Sequence, residues 1–201
     1  KPALLCHENI LVQNVGLAVG FAMDAADRML VNLPPSHVGC ATEQLATTVY
    51  GGGTCVILPI FDARASLEAI AKHRVTLLGQ IPALFNLEWR LPEYGEFDLS
   101  SLRFAIYGGQ AVPLPFLERL RAMAPRIGTG LGLTETAGFC TYTDLDAGVD
   151  ELAAGIGYDT PLCPLAIREP MRADGRAGAR KRAGEVGESI DFRPDVGLDG
   201  G

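Results

Sequence analysis

The sequence predicts an α/β fold, with a mostly parallel sheet that is flanked by helices and followed by a β-rich segment. Short apolar runs typical of buried strands alternate with helix-period segments between Asn9 and Gly132. This alternation indicates repeated strand–helix–strand units, which build a parallel sheet covered by helices. After Ala147 the composition changes to Gly, Pro and Arg with short β-like pieces. We therefore expect an α/β portion over residues 1–147 and a different, β-rich portion over residues 148–201.

Short apolar runs predict five strands in the first portion. They are Met29–Leu33, Thr54–Leu58, Val75–Leu78, Arg103–Tyr107 and Arg126–Gly130. The β-like pieces of the second portion are Leu165–Arg168 and Glu185–Phe192. No helix is predicted after Ala147.

Apolar residues spaced three and four apart predict the helices between the strands. These helices are His37–Tyr50, Arg64–Arg74, Pro82–Arg90 and Leu114–Ala124. Leu67, Ile70 and Ala71 show the spacing in the second helix. Asp62 is placed to cap that helix, because an aspartate oxygen can accept from the first backbone N–H groups. Pro113 suits the first turn of the last helix, where its missing N–H costs nothing.

Composition favours a globular protein without a membrane span. Hydrophobic residues make up 48% and charged residues 20% of the 201-residue chain, which is enough for one compact core or a core with a small satellite. The longest apolar stretch, Asn14–Met23, is about half the ~20 residues that a membrane helix needs, and Gly16 and Gly20 interrupt it. No leader-like segment opens the chain, so we expect a cytoplasmic protein.

Charge and cysteine content argue against nucleic-acid binding and against a disulfide framework. The formal net charge is −7, whereas binding to a nucleic-acid backbone needs clustered Lys and Arg. The basic stretch Arg168–Arg182 is a local exception, interpreted as a solvated surface loop with a binding patch as the alternative. The 5 cysteines are odd in number and form no Cys-x-x-Cys pair. We expect them to be reduced thiols of the core.

Two glycine-bearing loops are the first candidates for a binding site, because ligands of an open parallel sheet bind outside the carboxyl ends of its strands. The fourth predicted strand runs into Gly108-Gly109-Gln110, and the fifth runs into Leu131–Gly138, which contains a Gly-x-Thr-Glu-Thr run. Glycine lets the backbone approach a ligand, threonine offers a hydroxyl to phosphate, and glutamate can hold Mg²⁺. The loops therefore indicate a nucleotide-phosphate site. The alternative is a tight turn whose Thr hydroxyls cap a following helix while Glu135 faces water.

His37 is the candidate at a third strand end. It follows Leu33-Pro34-Pro35-Ser36, just after the first predicted strand. Its imidazole can contact a ligand there, or it can be a hydrogen-bonded residue at the start of a helix, and both interpretations stay open. No Ser or Cys nucleophile with a partner carboxylate accompanies it at recognisable spacing, and no two histidines have a metal-binding spacing.

Five short segments carry a resemblance to a known superfamily. They are Lys1 with His7-Glu8-Asn9, Leu33-Pro34 with His37, Tyr107–Ala111, Thr129–Thr136 and Gly184–Glu188. The first is similar to the tail of a phosphate loop, the second to an aromatic-or-His motif beside an acyl pocket, and the third to an adenine-contacting loop. The fourth is similar to a central Tyr-Gly-x-Thr-Glu signature and the fifth to a Gly-Glu-x-Gly-Glu turn. Together they resemble the adenylate-forming superfamily, which includes acyl- and aryl-CoA synthetases, across nearly the whole chain.

The resemblance implies an enzyme that activates a fatty or aryl carboxylic acid with ATP and then transfers the acyl group to CoA. It implies that residues 1–147 are the nucleotide- and acyl-binding portion of the superfamily's N-terminal domain, and that residues 148–201 begin a β-rich subdomain. The mobile C-terminal domain is absent, so the fragment alone is expected to be inactive. ATP, Mg²⁺ and CoA are the implied cofactor and co-substrates. A homo-oligomer is left open.

The resemblance also implies roles for individual residues. Glu135 would ligate Mg²⁺, Thr134 would donate to the α-phosphate, and Lys1 would neutralise phosphate charge. The implied nucleotide contacts are Gly108, Gly109, Gln110, Gly130, Leu131, Gly132 and Thr134. The implied acyl-pocket residues are His37, Gly109 and Gly132. Leu131 replaces the superfamily's Tyr, so aromatic stacking on adenine is lost or supplied by another residue. Pro2 replaces the Gly that follows the lysine of the superfamily's phosphate loop.

Two alternatives remain. An adenylation domain of a peptide synthetase would load a carrier protein instead of CoA. A fatty or aryl acid is favoured over an amino acid because the segment just after His37 contains no Asp, where amino-acid activators usually place one to hold the substrate ammonium. A non-catalytic nucleotide-binding or scaffolding module would account for Leu131 and for the missing body of the phosphate loop.

Overall fold

The computed structural model describes residues 4–170, 172–174, 176, 178–182, 185 and 189–191. Contacts define two compact units, which divide between Tyr158 and Asp159. The first unit carries the sheet and the candidate site, and the second carries a short antiparallel pair of strands. The functional boundary expected at residue 147 stays a prediction.

Five parallel strands form the sheet of the first unit. They are β1 (Arg28–Val31), β2 (Thr54–Ile57), β3 (Leu77–Gln80), β4 (Phe104–Tyr107) and β5 (Arg126–Gly128), in the order β2-β1-β3-β4-β5. The predicted parallel sheet is confirmed. β3 begins later than predicted and includes Gly79 and Gln80, because these residues pair with Ile106 and Tyr107 of β4. Pairing between strands here overrides the weak strand propensity of glycine.

Two short antiparallel pairs complete the strands of the described residues. β6 (Gly132–Leu133) pairs with β7 (Gly138–Phe139), and β8 (Ala166–Arg168) pairs with β9 (Ser189–Asp191). The first pair extends from the loop after β5 at the carboxyl edge of the parallel sheet. The second pair lies in the second unit, where a β-rich segment was expected.

Six α-helices lie in the described part of the chain. They are α1 (His7–Gly20), α2 (Thr47–Tyr50), α3 (Ala63–His73), α4 (Pro82–Trp89), α5 (Leu114–Met123) and α6 (Val149–Ala154). Asp62 caps α3 as predicted, since its Oδ1 accepts from the backbone N–H of Ala65 at 2.8 Å. Pro113 immediately precedes α5. The prediction that no helix follows Ala147 is wrong, since α6 lies there. This helix has only 6 residues and buries only Leu152, so its sequence shows no apolar periodicity.

The segment predicted as one helix over His37–Tyr50 begins instead as a π-helix over Gly39–Ala46 and continues as α2. Threonine side chains account for the wider turn. The hydroxyl of Thr42 donates to the backbone oxygen of Val38 at 2.7 Å, and that of Thr47 donates to the backbone oxygen of Thr42 at 2.9 Å. Hydroxyls that occupy these carbonyls compete with α-helical bonds, and π-turns are frequent at functional sites.

Both faces of the sheet are buried, as is typical of parallel sheets. Successive strand residues point to opposite faces, so Met29 and Leu30 enter different cores. The core around Leu30 includes Leu67, Ile70, Leu78, Phe85, Leu117 and Leu120. The core around Met29 includes Leu17, Phe21, Leu77, Phe104 and Phe139. Helices therefore cover the sheet on each side and leave its strand ends open.

The expectation of core thiols holds for only part of the cysteines. Cys40 and Cys140 are buried, and Cys55 and Cys163 are half-buried. Cys6 is exposed, which corrects the prediction for this residue. It precedes α1, where its backbone N–H donates to Asn9 Oδ1 at 2.9 Å. Its place is thus set by helix capping and not by apolar packing.

An ion pair fixes the amino ends of three strands, at the edge of the sheet opposite the candidate site. Asp27 is buried, pairs with Arg103, and accepts from the hydroxyl of Thr76 at 2.7 Å. Burial would raise the pKa of Asp27, but hydrogen bonds from Arg103, the backbone of Asp24 and Thr76 together lower it. The charged carboxylate therefore ties β1, β3 and β4 together.

In the second unit, the described residues of the basic stretch are mostly exposed. Arg172, Arg176 and Arg180 face solvent, and the ammonium of Lys181 lies 3.3 Å from a carboxylate oxygen of Glu169. This exposure fits the interpretation as a solvated loop. No helix in the described part of the chain is long and apolar enough to cross a bilayer.

Candidate active site

A cavity of about 320 Å³, here called the first cavity, lies at the carboxyl edge of the sheet. Segments that follow β1, β3 and β4 form its walls together with the β6–β7 pair. Six residues predicted from the sequence line it: His37, Gly108, Gly109, Gly132, Thr134 and Glu135. The two glycine-bearing loops therefore meet in one crevice, as their positions after parallel strands led us to expect.

A second cavity of about 470 Å³ lies on the other side of these loops. The predicted residues that line it are Gly109, Gln110, Gly130, Leu131 and Gly132. Tyr107 and Ile156 line it as well. The first and second cavities share Gly109, Gly132 and Leu133. The two cavities therefore adjoin at these three residues.

The Thr134–Thr136 segment forms a single 3₁₀ turn that divides its two threonines between different tasks. The hydroxyl of Thr136 accepts from the backbone N–H of Leu133 at 3.1 Å and donates to the backbone oxygen of Gly138 at 2.6 Å. Thr134 and Glu135 instead present exposed side chains to the first cavity. Local capping thus uses Thr136 and leaves the other two side chains open to a ligand.

Glu135 is available for a cation. None of the ion pairs between described residues involves it, and no group of three or more His, Cys, Asp or Glu in the described part of the chain could hold a metal by itself. Mg²⁺ in nucleotide enzymes is commonly held by one or two carboxylates together with substrate phosphates. A single exposed carboxylate at the wall of the first cavity fits that mode of binding.

His37 combines both interpretations left open by the sequence. Its Nδ1 accepts from the backbone N–H of Gly39 at 3.0 Å, which is a helix-start contact at the entrance to the π-helix. The ring is also exposed and lines the first cavity. The helix-start contact orients the imidazole, and its other nitrogen remains available to a ligand.

At two positions of the site, the backbone itself explains why the residue is glycine, without the close approach of a ligand. Gly109 has a φ of 89°, which L side chains rarely adopt. A Cβ atom at Gly130 would lie 1.9 Å from the backbone oxygen of Thr141. Gly130 is therefore required by the chain that returns beside it. The role of Gly130 as a nucleotide contact stays a prediction.

Buried threonines hold the loop that follows β5, and no sequence pattern predicted these contacts. Thr129 donates from its hydroxyl to the backbone oxygen of Tyr107 at 2.8 Å and so joins the ends of β4 and β5. Thr143 accepts from the backbone N–H of Thr129 at 3.0 Å. Thr141 accepts from the backbone N–H of Leu131 at 2.7 Å. Such side-chain-to-backbone contacts are distant in sequence and follow no local pattern.

A buried amide network also escaped the sequence-based predictions. Gln44 of the π-helix lines the first cavity, and its Nε2 donates to Asn32 Oδ1 at 3.0 Å. Asn32 Nδ2 donates to Gln80 Oε1 at 2.8 Å, and Gln80 Nε2 donates to Glu88 Oε2 at 2.7 Å. The network links the cavity wall to the core under α4. Glu43, the neighbour of Gln44, lines the first cavity too.

Two of the five segments behind the resemblance are only partly described. Lys1 lies outside the described residues, as does Gly184–Glu188 apart from Glu185. Around Leu131 the second cavity offers apolar walls, including Ile156, whose side chain is half exposed. Tyr107 also lines this cavity, but its ring is buried and packs against Phe116. Apolar contact with a base is therefore available without the tyrosine that Leu131 replaces.

Comparison with known proteins agrees with this geometry. A model of the AMP-binding enzyme family matches residues 1–188. The chain is 34% identical over 178 residues to indoleacetate–CoA ligase of Aromatoleum aromaticum, covering 87% of this chain and 33% of that protein. It is 32% identical over 168 residues to long-chain-fatty-acid–CoA ligase FadD13 of Mycobacterium tuberculosis, covering 84% of this chain and 33% of that protein.

Among solved structures, the chain resembles the inhibitor-bound N-terminal domain of FACL13 from Mycobacterium tuberculosis. The TM-score is 0.76 at 27% identity, and the match covers 87% of this chain and 43% of that domain. The chain spans about a third of the length of the curated relatives it matches. The parallel sheet and the edge that carries both cavities therefore belong to a known architecture.

Proposed function

The chain belongs to the family of AMP-binding enzymes, and on that premise we propose that the protein carrying it is an acid:CoA ligase. The carboxylate of an acid attacks the α-phosphorus of ATP, which gives an acyl-adenylate and releases pyrophosphate. The thiol of CoA then displaces AMP and takes the acyl group. Relatives named as CoA ligases support the choice of CoA over a carrier protein as acceptor.

Two adjoining cavities, with a wall in common, are the observation that carries this proposal. Acyl-adenylate formation needs a nucleotide and a carboxylic acid in contact at one point, each in its own space. The second cavity would hold the nucleotide beside Gln110, Gly130 and Leu131, and the first would hold the acid beside His37. Gly109 and Gly132 line both cavities. The reacting carboxylate and the α-phosphate would therefore meet at these glycines.

Charge stabilisation is the main task of the protein in the first step, because a carboxylate must approach a phosphate of the same sign. The exposed hydroxyl of Thr134 would donate to a phosphate oxygen. Glu135 would hold Mg²⁺, which neutralises phosphate charge when bound. Lys1 is proposed to add a further positive charge. The protein needs no nucleophile of its own for this reaction.

The substrate is proposed to be a fatty or an aryl acid. The first cavity has apolar walls from Leu17, Met29, Ile81 and Ile106, which suit either kind of chain. The relatives carry names of both kinds, an indole acid and long-chain fatty acids. Glycine at 109 and 132 leaves room for a bulky group at the reacting end.

Replacement of Glu135 by glutamine tests the proposal in the protein that carries this chain. Loss of one charge-stabilising group typically costs ~3 kcal/mol of barrier, or about 100-fold in rate. We expect ATP–pyrophosphate exchange to fall by about that factor. The matched control is Glu118→Gln on the exposed face of α5, which should exchange at the wild-type rate. Equal rates in the Glu135→Gln and control proteins would remove Glu135 from the mechanism.

The same preparation separates the rival functions. Acyl transfer to free CoA supports the ligase, whereas transfer to a carrier protein only would identify an adenylation domain. Isothermal titration with ATP and Mg²⁺ tests whether the protein is a scaffolding module, since a scaffold without a nucleotide site releases no heat that depends on Mg²⁺. Exchange of pyrophosphate with any acid excludes that module outright.

A further inference from the structure

One carboxyl group in the first cavity takes no part in the reaction proposed above. Glu43 lies on the π-helix and lines the first cavity. It does not belong to the lining of the second cavity. The reacting carboxylate of an acid must reach the shared wall at Gly109 and Gly132 to meet the nucleotide. Glu43 therefore faces the space that the rest of the acid would occupy.

The carboxyl of Glu43 is half-buried, and few hydrogen-bond donors surround it within the described part of the chain. Burial raises its pKa to about 7, although a hydrogen bond from the backbone N–H of Phe139 acts in the opposite direction. No Lys or Arg is among the described residues that line the cavity. The other imidazole and carboxyl groups that line the first cavity belong to His37 and Glu135. Nδ1 of His37 already accepts from the backbone N–H of Gly39. A half-buried carboxyl with so few donors favours a ligand that brings one.

The side-chain amide of Gln13 lies at the same glycine as Glu43, but the structure shows no hydrogen bond between them. A Cβ atom at Gly138 would lie 2.8 Å from Glu43 Oε1 and 2.7 Å from Gln13 Nε2, so both side chains crowd the same glycine. The buried Nε2 of Gln13 has no hydrogen-bond partner among the described residues. The close packing at Gly138 holds the carboxyl of Glu43 at the cavity wall.

Resting on the function proposed above, we infer that Glu43 is a specificity-determining residue that selects acids with a hydrogen-bond donor away from the reacting carboxylate. A hydroxyl or ring N–H on the acid satisfies the carboxyl of Glu43. An acid of the same shape without the donor displaces water from this carboxyl and offers it no hydrogen bond in return. The expected preference for the donor-bearing acid is about 10- to 100-fold.

Pairs of acids that differ only in the donor test this inference. Indoleacetate and benzothiopheneacetate have nearly the same shape, but only the first has a ring N–H. Para-hydroxyphenylpropanoate and para-methylphenylpropanoate differ by a hydroxyl in place of a methyl group. The readout is the ratio of kcat/KM within each pair in pyrophosphate exchange. Wild-type protein should favour the donor-bearing member in at least one pair by about 10-fold or more.

Substitution assigns the preference to Glu43. In Glu43→Leu the ratio should fall to about one or invert, because leucine rewards the apolar acid. Glu43→Gln keeps a hydrogen-bond acceptor and should retain part of the preference. This variant allows the test to be made even if Glu43→Leu does not fold. Glu68→Leu, on the exposed face of α3, is the matched control and should keep the wild-type ratio. A ratio that is the same in wild-type, Glu43→Leu and control proteins overturns the inference.

Direct binding keeps this test separate from that of the proposed function. Isothermal titration of each acid in the absence of ATP measures the same ratio as affinities and requires no turnover. If no acid supports exchange, the ligase proposal fails, while a donor preference in binding that Glu43→Leu removes still supports the role of Glu43. If exchange occurs and both members of each pair bind and react equally, only the role of Glu43 fails. Parallel losses for both members in Glu43→Leu would make the residue structural and also overturn the inference.

Discussion

Replacing Glu88 by glutamine tests how the protein carries a carboxyl inside its core. Glu88 lies on α4 with an exposed fraction of 0%. Burial raises its pKa from 4.5 to about 7, and hydrogen bonds from Ser66 and Gln80 offset only part of that effect. The folded protein therefore binds a proton at Glu88 in a pH range where the unfolded chain has released it.

The sign and size of the effect on stability follow from this difference. Below about pH 4.5 the group is protonated in both states, and its contribution to the free energy of unfolding is complete. As the pH rises to about 7, that contribution is lost at ~1.4 kcal/mol per pH unit, and above pH 7 the loss levels off. The total is about 3 kcal/mol, of which roughly 2.5 kcal/mol falls between pH 5 and pH 8. Glutamine has no proton to release, so Glu88→Gln removes this loss.

Urea denaturation of both proteins at pH 5 and pH 8 measures the difference. We expect the stability of Glu88→Gln relative to wild type to improve by roughly 2.5 kcal/mol from the lower to the higher pH, whatever constant offset the amide introduces. Glu43, whose pKa is also raised to about 7, remains in both proteins and cancels. An offset that is the same at both pH values would refute the claim that Glu88 holds its proton in the folded state.

Two further substitutions test the structure away from the ligands, each by urea denaturation. Asp27→Asn removes the charge of a carboxylate that is 2% exposed and should cost about 3 kcal/mol. Asp98→Asn breaks an ion pair whose carboxylate is 59% exposed and should cost much less, because solvent screens that pair; equal losses would contradict the importance of burial. Gly130→Ala forces a methyl group against a backbone oxygen and should cost at least ~2 kcal/mol, while Gly95→Ala meets nothing within 4 Å and should be close to neutral. A Gly130 variant as stable as wild type would mean that the returning chain can move aside.

The parallel sheet and the meeting of the two glycine-bearing loops could be predicted from the sequence for one physical reason. Parallel strands end at a common edge, so a glycine-bearing loop after each of two neighbouring strands must lie in one crevice. β4 and β5 are such neighbours. Gly108 and Glu135 follow these two strands, so the sequence alone predicts that they lie close together. This prediction requires only the strand periodicity and the turn residues.

The remaining features depend on contacts that are distant in sequence. The π-helix arises from threonine hydroxyls that take backbone carbonyls, and its wider turn changes which side chains face the cavity. For this reason Glu43 and Gln44 were absent from the predicted site. Glu88 lies in a helix whose sequence gives no sign that its carboxyl is buried, and its partner Gln80 comes from a strand that begins later than predicted. Tertiary packing decides each of these features, and a single sequence carries no local record of it.

The exposed margin of β2 bears on any work with this chain in isolation. Within the described residues β2 pairs with β1 on one side only, and Ile57 at its end is 65% exposed, with Ile60 beyond it at 83%. Open backbone N–H and C=O groups beside such residues are a template on which a second molecule can add a strand. Dimers or aggregates of the isolated chain would thus arise by edge-to-edge pairing. The oligomeric state measured for the isolated chain would therefore reflect pairing at the β2 edge and not a biological assembly.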